Sequence, residues 1–570
     1  MIRTTHGSTR RLVAGLAAAA ALALTLSACG GGGTSDDSTG AGETGGASAS
    51  DATTLIAYTG QAGDYQINYN PFSPSNIGGR GTIYEPLFFF NKAQVQDPVP
   101  LLGTEYSWND DGTVLSVTLR EGVTWSDGEP FTAKDVAFTF DLIKNTAEIN
   151  SSGFDATTEA VDDTHVTFTF TEPAFVRAPD VLTQYIVPEH LWKDISPTED
   201  VVENPIGTGP YLLGDFKPQA FTLVANEDYW GGAPAVKAVR YLSLSGNQAG
   251  ADALAAGTID WQTGPVPNID DVAGNYPGYD SLTANQNQVV LATCSNPDWG
   301  CTGVQTDPAV RQALYWALDR DQINNLAFQG TASEISPTFA LVPSQESLIS
   351  ASITDPVAEA KADTAKAAEV LEAAGYTKGS DGIYEKDGQR VTVNIEVVTG
   401  WTDYITAIDT ITAQAKAAGI EVTSTQSSWN EWTDKKQRGN FQLAIDSLWQ
   451  GPAPDPYYVY QYFFTGGAKV GENSGNAFSR YDNAEVSDAI VGLQKLNFDD
   501  PARDALFTTI QDAIVEDMPY VPVMTGGTTS EWNVEKFTGW PTEDDMYAFP
   551  AVWSALDMTE ILKHLEPTGE

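Results

Sequence analysis

Beyond residue 52 the chain shows two hydrophobic periods in turn, one of two residues and one of 3.6. Around Val117 the period is two. Val117 and Leu119 alternate with Ser116, Thr118 and Arg120, which predicts a strand reaching Glu121. Ser126-Asp127-Gly128 is then a turn. Thr132-Ala133-Lys134-Asp135 has the S/T-x-x-D form of a helix start, and Val136, Phe140 and Ile143 fall on one face of the helix it opens. The period of two returns in His165 to Phe170, and Thr53 to Tyr58 reads as a first strand. Asp307-Pro308 opens a helix with Pro at its first position and an apolar stripe of Val310, Ala313, Leu314, Ala317 and Leu318. Helices over 359–374 and 402–418 are predicted to end at Gly375 and Gly419, and a strand from Ile420 to Thr425 follows the second. Strands alternating with helices predict α/β domains.

At 570 residues the chain exceeds one core, so two or three domains are expected. Charge is lopsided. The chain has 30 Lys+Arg against 76 Asp+Glu, and residues 1–28 take three of the bases, leaving 27 − 76 = −49. Such a surface repels nucleic acid and anionic headgroups. Solubility accounts for the acidity, with recognition of a cationic ligand as the alternative.

The first residues predict export. Arg3, Arg10 and Arg11 precede an apolar run from Leu12 to Leu26, the layout of a signal peptide over 1–28. The run is shorter than the ~20 residues of a spanning helix. It ends in Leu26-Ser27-Ala28-Cys29, similar to a bacterial lipobox, so Cys29 is the expected site of lipidation. Residues 30–51 are small, polar and acidic, the composition of a flexible linker. Cys294 and Cys301 are the other two cysteines, and an exported compartment favours a disulfide between them. The loop so closed stabilises by about 2.5 kcal/mol in the chain-entropy model. No metal site or cofactor is expected, because His165, His190 and His564 lie far apart and far from the cysteines.

Several motifs, in order, carry a resemblance. They are the stretch Val117–Ile143, Asn70-Pro71-Phe72 with Tyr84-Glu85-Pro86-Leu87, Val187-Pro188-Glu189-His190-Leu191-Trp192, Gly207-Thr208-Gly209-Pro210-Tyr211, Asn226 to Trp230, Gly257 to Trp261, and Val310-Arg311-Gln312-Ala313 with Ala317-Leu318-Asp319-Arg320. The glycines of Gly207-Thr208-Gly209 match neither a P-loop nor a dinucleotide fingerprint and read as a turn between domains. Together these resemble the family 5 extracellular solute-binding proteins of ABC importers, the oligopeptide- and dipeptide-binding group. The resemblance implies an α/β periplasmic-binding-protein fold of type II, cluster C, with two hinged lobes and an extra α/β domain. Domain I would comprise 52–87, 204–300 and 527–570, domain II 88–203 and domain III 301–526, after a lipidated linker over 29–51. It also implies a monomer, anchored by lipid on the outer face of the cell membrane, that closes over a ligand and presents it to a permease. No catalytic residues are expected, although 76 acids keep a secreted carbohydrate-acting enzyme in view.

Ligand class divides the expectations. Peptide-binding relatives place an Asp three residues after a Trp, whereas Pro452 stands three after Trp449 here. Aromatics are dense from Trp429 to Phe464, and Tyr and Trp combine a broad apolar face with a polar handle suited to sugar rings. The segments at Trp261, Trp401 and Trp540 resemble those of cello- and β-gluco-oligosaccharide binders in the family. Trp261, Trp401, Trp449 and Tyr458 are therefore the expected stacking rings, with Asn70 and Asp455 as hydroxyl partners. Trp540 is assigned to domain I, in its closing segment, and an oligopeptide is the alternative ligand. The Val117–Ile143 stretch is expected to be scaffold remote from recognition.

Overall fold

The computed structural model describes residues 52–60, 64–73, 76–94, 96–150, 152–466 and 468–569; the expected signal segment, Cys29 and linker lie outside them. A ten-stranded mixed sheet runs through these residues. Its order is Glu421–Ser427, Thr392–Val398, Leu443–Leu448, Tyr279–Thr293, Tyr520–Asn533, Trp261–Thr263, Thr54–Tyr58, Ala238–Leu242, Ala220–Ala225 and Tyr211–Lys217. The two central strands, 15 and 14 residues long, are antiparallel and belong to both lobes. Tyr279–Asn285 pairs with Gly527–Asn533, and Asn287–Ala292 pairs with Tyr520–Gly526. Gln286 drops out of the ladder between them, a bulge that lets each half twist with its own lobe. Opposite the bulge, Gly527 lies so close to the Thr331 carbonyl that a Cβ would collide with it.

Each half of the pair feeds a different core. Val290, Leu291, Tyr520 and Val521 pack with Val310, Leu314 and Ile411 in the larger one. Leu282 and Trp532 pack with Leu55, Tyr211 and Tyr241 in the second. A separate antiparallel sheet, in the order Gly103–Trp108, Val114–Leu119, His165–Thr169 and Thr157–Ala160, forms a third core with the helix Ala133–Asn145. Among the described residues no helix is long and apolar enough to cross a membrane.

Local readings hold where the signal is local. Thr132 caps the helix Ala133–Asn145, and the Asp135 carboxylate accepts the Thr132 amide at 2.9 Å, closing the capping box. Val136, Phe140 and Ile143 are buried. Asp307 caps the helix Pro308–Ala317. The strand at Val117 stops at Leu119 rather than Glu121, because the Arg120 amide turns to the Leu102 carbonyl and Gly122 takes φ +75°. The helix expected from 359 begins at Thr364, where Asp363 supplies the cap that the preceding residues lack. A disulfide joins Cys294 to Cys301.

Three of the scattered motifs meet at one buried carboxyl. Glu85 accepts the Tyr229 hydroxyl at 2.7 Å and the Trp230 indole N–H at 2.9 Å. Gly207 and Gly209 press against the carbonyls of Ile83 and Thr82, where any Cβ would collide. The Arg120 guanidinium lies 4.0 Å from the Trp230 ring, so the four-stranded unit is held to the same point. Burial pushes the Glu85 carboxyl up to about 7, against the lowering effect of the Trp230 and Tyr229 donors. The folded protein therefore keeps a proton there that the unfolded chain gives up near pH 4.5. This stabilisation is full below pH 4.5 and is lost as pH rises to about 7. Denaturant titrations should show the native chain losing roughly 3 kcal/mol across that window relative to Glu85→Gln, and parallel pH profiles would contradict the assignment.

Candidate functional site

The strand pair forms the floor of a cleft between the lobes. One recess lies over Gly526, Gly527, Thr528 and Thr529. Thr263, Gly264 and the half-exposed Trp553 face it from one side, and Phe328, Asp403, Tyr404 and Ser447 from the other. Asp403 is the one charged residue among those lining it. Burial raises its carboxyl above the usual carboxylate range, opposed by a hydrogen bond from the Tyr404 amide. The Tyr404 ring stands at 6.1 Å from Phe328 and at 5.4 Å from Trp401, which meets Trp432 at 5.2 Å. Trp401 is half-buried and buttresses Tyr404 edge-on.

A second recess adjoins the first where Trp553, bordering one, is followed by Ser554, bordering the other. Trp449 lines it, 40% exposed, with its ring 4.4 Å from that of Tyr462. Asp180 and Ile143 face them from the other lobe. The cations and anions here are mostly paired: Lys92 with Asp557 at 3.0 Å, and Asp180 with Arg177 at 3.7 Å. Arg80 lies over the Tyr185 ring at 5.7 Å, and its buried Nε makes no hydrogen bond. Ile143, two residues before the end of the helix Ala133–Asn145, lines this recess, so the Val117–Ile143 stretch reaches it.

The other expected contact residues stand elsewhere. Trp261 is wholly buried, edge-on to Trp540, which stacks on Trp532 at 5.1 Å; the three indoles seal the second core. Its place on a three-residue strand between two longer partners encloses it. Tyr458 is wholly buried, and its hydroxyl donates to the Val176 carbonyl at 2.9 Å. Asn70 is wholly buried and donates to the carbonyls of Pro197 and Asp200, both at 3.0 Å, stapling its loop. Asp455 holds Arg503 through both oxygens at 2.9 Å and accepts the amide of Tyr457, the first residue of the helix Tyr457–Phe463. None of these four offers a free face or oxygen to a ligand, contrary to the expectation for them. Sequence reasoning missed Trp553, Phe328 and Asn287. They sit at element ends or on a shared strand, where periodicity carries no mark of a cleft.

Asp455→Asn should unfold at a distinctly lower temperature, since it leaves the buried Arg503 charge uncompensated at a cost of about 3–5 kcal/mol. Ligand affinity at a temperature where the variant is folded should be unchanged; a large affinity loss there would return Asp455 to the binding site.

Comparison with known proteins gives consistent matches. Residues 97–470 match the family model described as bacterial extracellular solute-binding proteins, family 5 middle. Protein XP55 of Streptomyces lividans is 32% identical over 421 residues, covering 72% of this chain and 73% of that one. The nickel-binding periplasmic protein of Escherichia coli (strain K12) is 23% identical over 476 residues, covering 80% and 86%. Among solved structures, a periplasmic oligopeptide-binding protein from Thermotoga maritima with bound mannohexaose superposes with a TM-score of 0.82 at 24% identity, covering 91% of this chain and 99% of that one. The oligopeptide-binding protein AppA of Bacillus subtilis, in complex with a nonapeptide, superposes with a TM-score of 0.73 at 20% identity, covering 90% and 99%.

Proposed function

The chain belongs to the bacterial extracellular solute-binding proteins, family 5, and from that premise we propose that it captures a neutral oligosaccharide of the cello- or other β-gluco type. As a solute-binding protein of an ABC importer it binds its solute outside the cytoplasm and does no chemistry on it. Similar proteins are described as binding nickel, glutathione, peptide or mannohexaose, so the family leaves the ligand open. The make-up of the cleft carries the sugar reading. The first recess offers three aromatic residues, threonine and serine hydroxyls and amides, with Asp403 as its one charged lining residue. A sugar stacks its C–H faces on such rings and shares its hydroxyls with such groups. A peptide brings an ammonium and a carboxylate, and burying either without a partner costs several kcal/mol. Pro452 supplies no charge for the ammonium.

In this reading Trp449 stacks on the ligand from the second recess, and Trp401 acts through Tyr404. Lobe closure brings 301–526 onto 52–300 and 527–570, with Cys29 as the lipid anchor and a permease as the receiving partner. A short peptide is the second reading. It draws on Arg80, a cationic side chain lining the second recess over the Tyr185 ring.

Calorimetry with cellobiose through cellopentaose and with di- to pentapeptides separates the two. Heat is expected with the longer glucans, and peptide binding alongside silent glucans overturns the sugar reading. Trp449→Ala should weaken the binding ligand at least about ten-fold, the loss of one aromatic stacking partner.

A further inference from the structure

The lobes meet at a second place besides the strand pair. In the segment Glu172 to Asp180, Ala174 and Ala178 pack into the core of the four-stranded unit, but Val176 between them packs into the large core of the opposite lobe. Among the described residues it is the one fully buried member of that core from before residue 289. Tyr458, which the sequence suggests as a sugar platform, spends its hydroxyl on holding this valine by its carbonyl. Four residues on, the Tyr462 hydroxyl donates to Asp180 Oδ1 at 2.8 Å. Lys495 pairs with Glu172 at the rim. The other face of Tyr462 holds Trp449, with ring centroids 4.4 Å apart and planes tilted by 39°.

We propose that Tyr462 is a positioning residue that couples occupancy of the recess to closure of the lobes, through Trp449 on one side and Asp180 on the other. A ligand seated on Trp449 fixes the Trp449–Tyr462 pair and so aims the hydroxyl at Asp180. The bond across the cleft in turn holds Trp449 in place. Because the coupling is reciprocal, the latch lengthens ligand residence as much as the ligand favours the latch. Opening withdraws Val176 from an apolar core, which makes release the gated step. The Trp449 half of the coupling rests on the stacking proposed above; the contact between Tyr462 and Asp180 does not depend on ligand class.

The test uses the full mature chain with whichever of cellopentaose or trialanine gives heat. Tyr462→Phe keeps the ring and removes the hydroxyl. Stopped-flow tryptophan fluorescence should show dissociation about ten-fold faster, the loss of one hydrogen bond to a charged group, with association within about two-fold. A ring that served packing alone would leave the dissociation rate unmoved. Amide exchange across 172–182, measured at equal ligand saturation, should rise by a similar factor in Tyr462→Phe and in Val176→Ser. Unchanged dissociation and unchanged exchange in Tyr462→Phe overturn the latch. Binding of trialanine alone defeats the sugar reading while leaving this comparison decisive.

Discussion

Two antiparallel strands shared by both lobes constrain everything else in this molecule. Backbone hydrogen bonds tie Tyr279–Thr293 to Tyr520–Asn533 along nearly their whole length. The lobes can therefore change their angle only where the ladder is interrupted. It is interrupted at Gln286, opposite Gly526 and Gly527 in the floor of the first recess, and again between Val289 and Val290. Asn287, Val289 and Thr528 line the cleft for the same reason that they sit near the bend: the pivot and the floor are the same few residues. A side chain at Gly527 would meet the Thr331 carbonyl, so the small residue is required by the close passage of another backbone.

The four-stranded unit is held between two contacts, one polar and one that adds an apolar knob to its hydrogen bonds. At one end, Glu85 accepts from both Tyr229 and Trp230 in a buried polar joint, and Arg120, bonded to the Leu101 carbonyl, lies over the Trp230 ring. Such a joint is directional and tolerates little movement. At the other end, Val176 enters the opposite lobe as an apolar knob, with Tyr458 and Tyr462 beside it. Hydrophobic contact is less directional, so this is the end suited to parting and re-forming.

Aromatic residues divide between three tasks that residue type cannot separate. Trp261, Trp532 and Trp540 seal a core; Trp401 and Trp432 brace Tyr404; Trp449 and Trp553 keep exposed faces on the cleft. All are indoles in segments of similar composition. Exposure is what distinguishes them, and it follows from neighbours hundreds of residues away: Trp540 for Trp261, and the segment around Asp180 for the Trp449–Tyr462 pair.

The sequence by itself determined the local structure and the family. Capping boxes, the Asp307-Pro308 helix start and the two hydrophobic periods depend on residues a few positions apart, so they are written in the order of the chain. The family motifs were legible as words, but not as one joint around Glu85, because their meeting depends on how the sheets stack. Only the tertiary structure decided which polar groups are taken up by buried partners. Asn70 and Asp455 had the right chemistry for hydroxyls, yet each found buried partners, the carbonyls at 197 and 200 and the Arg503 guanidinium. A side chain's hydrogen-bonding capacity is spent on whatever the fold brings within 3 Å of it, and that distance is set by contacts across the whole chain.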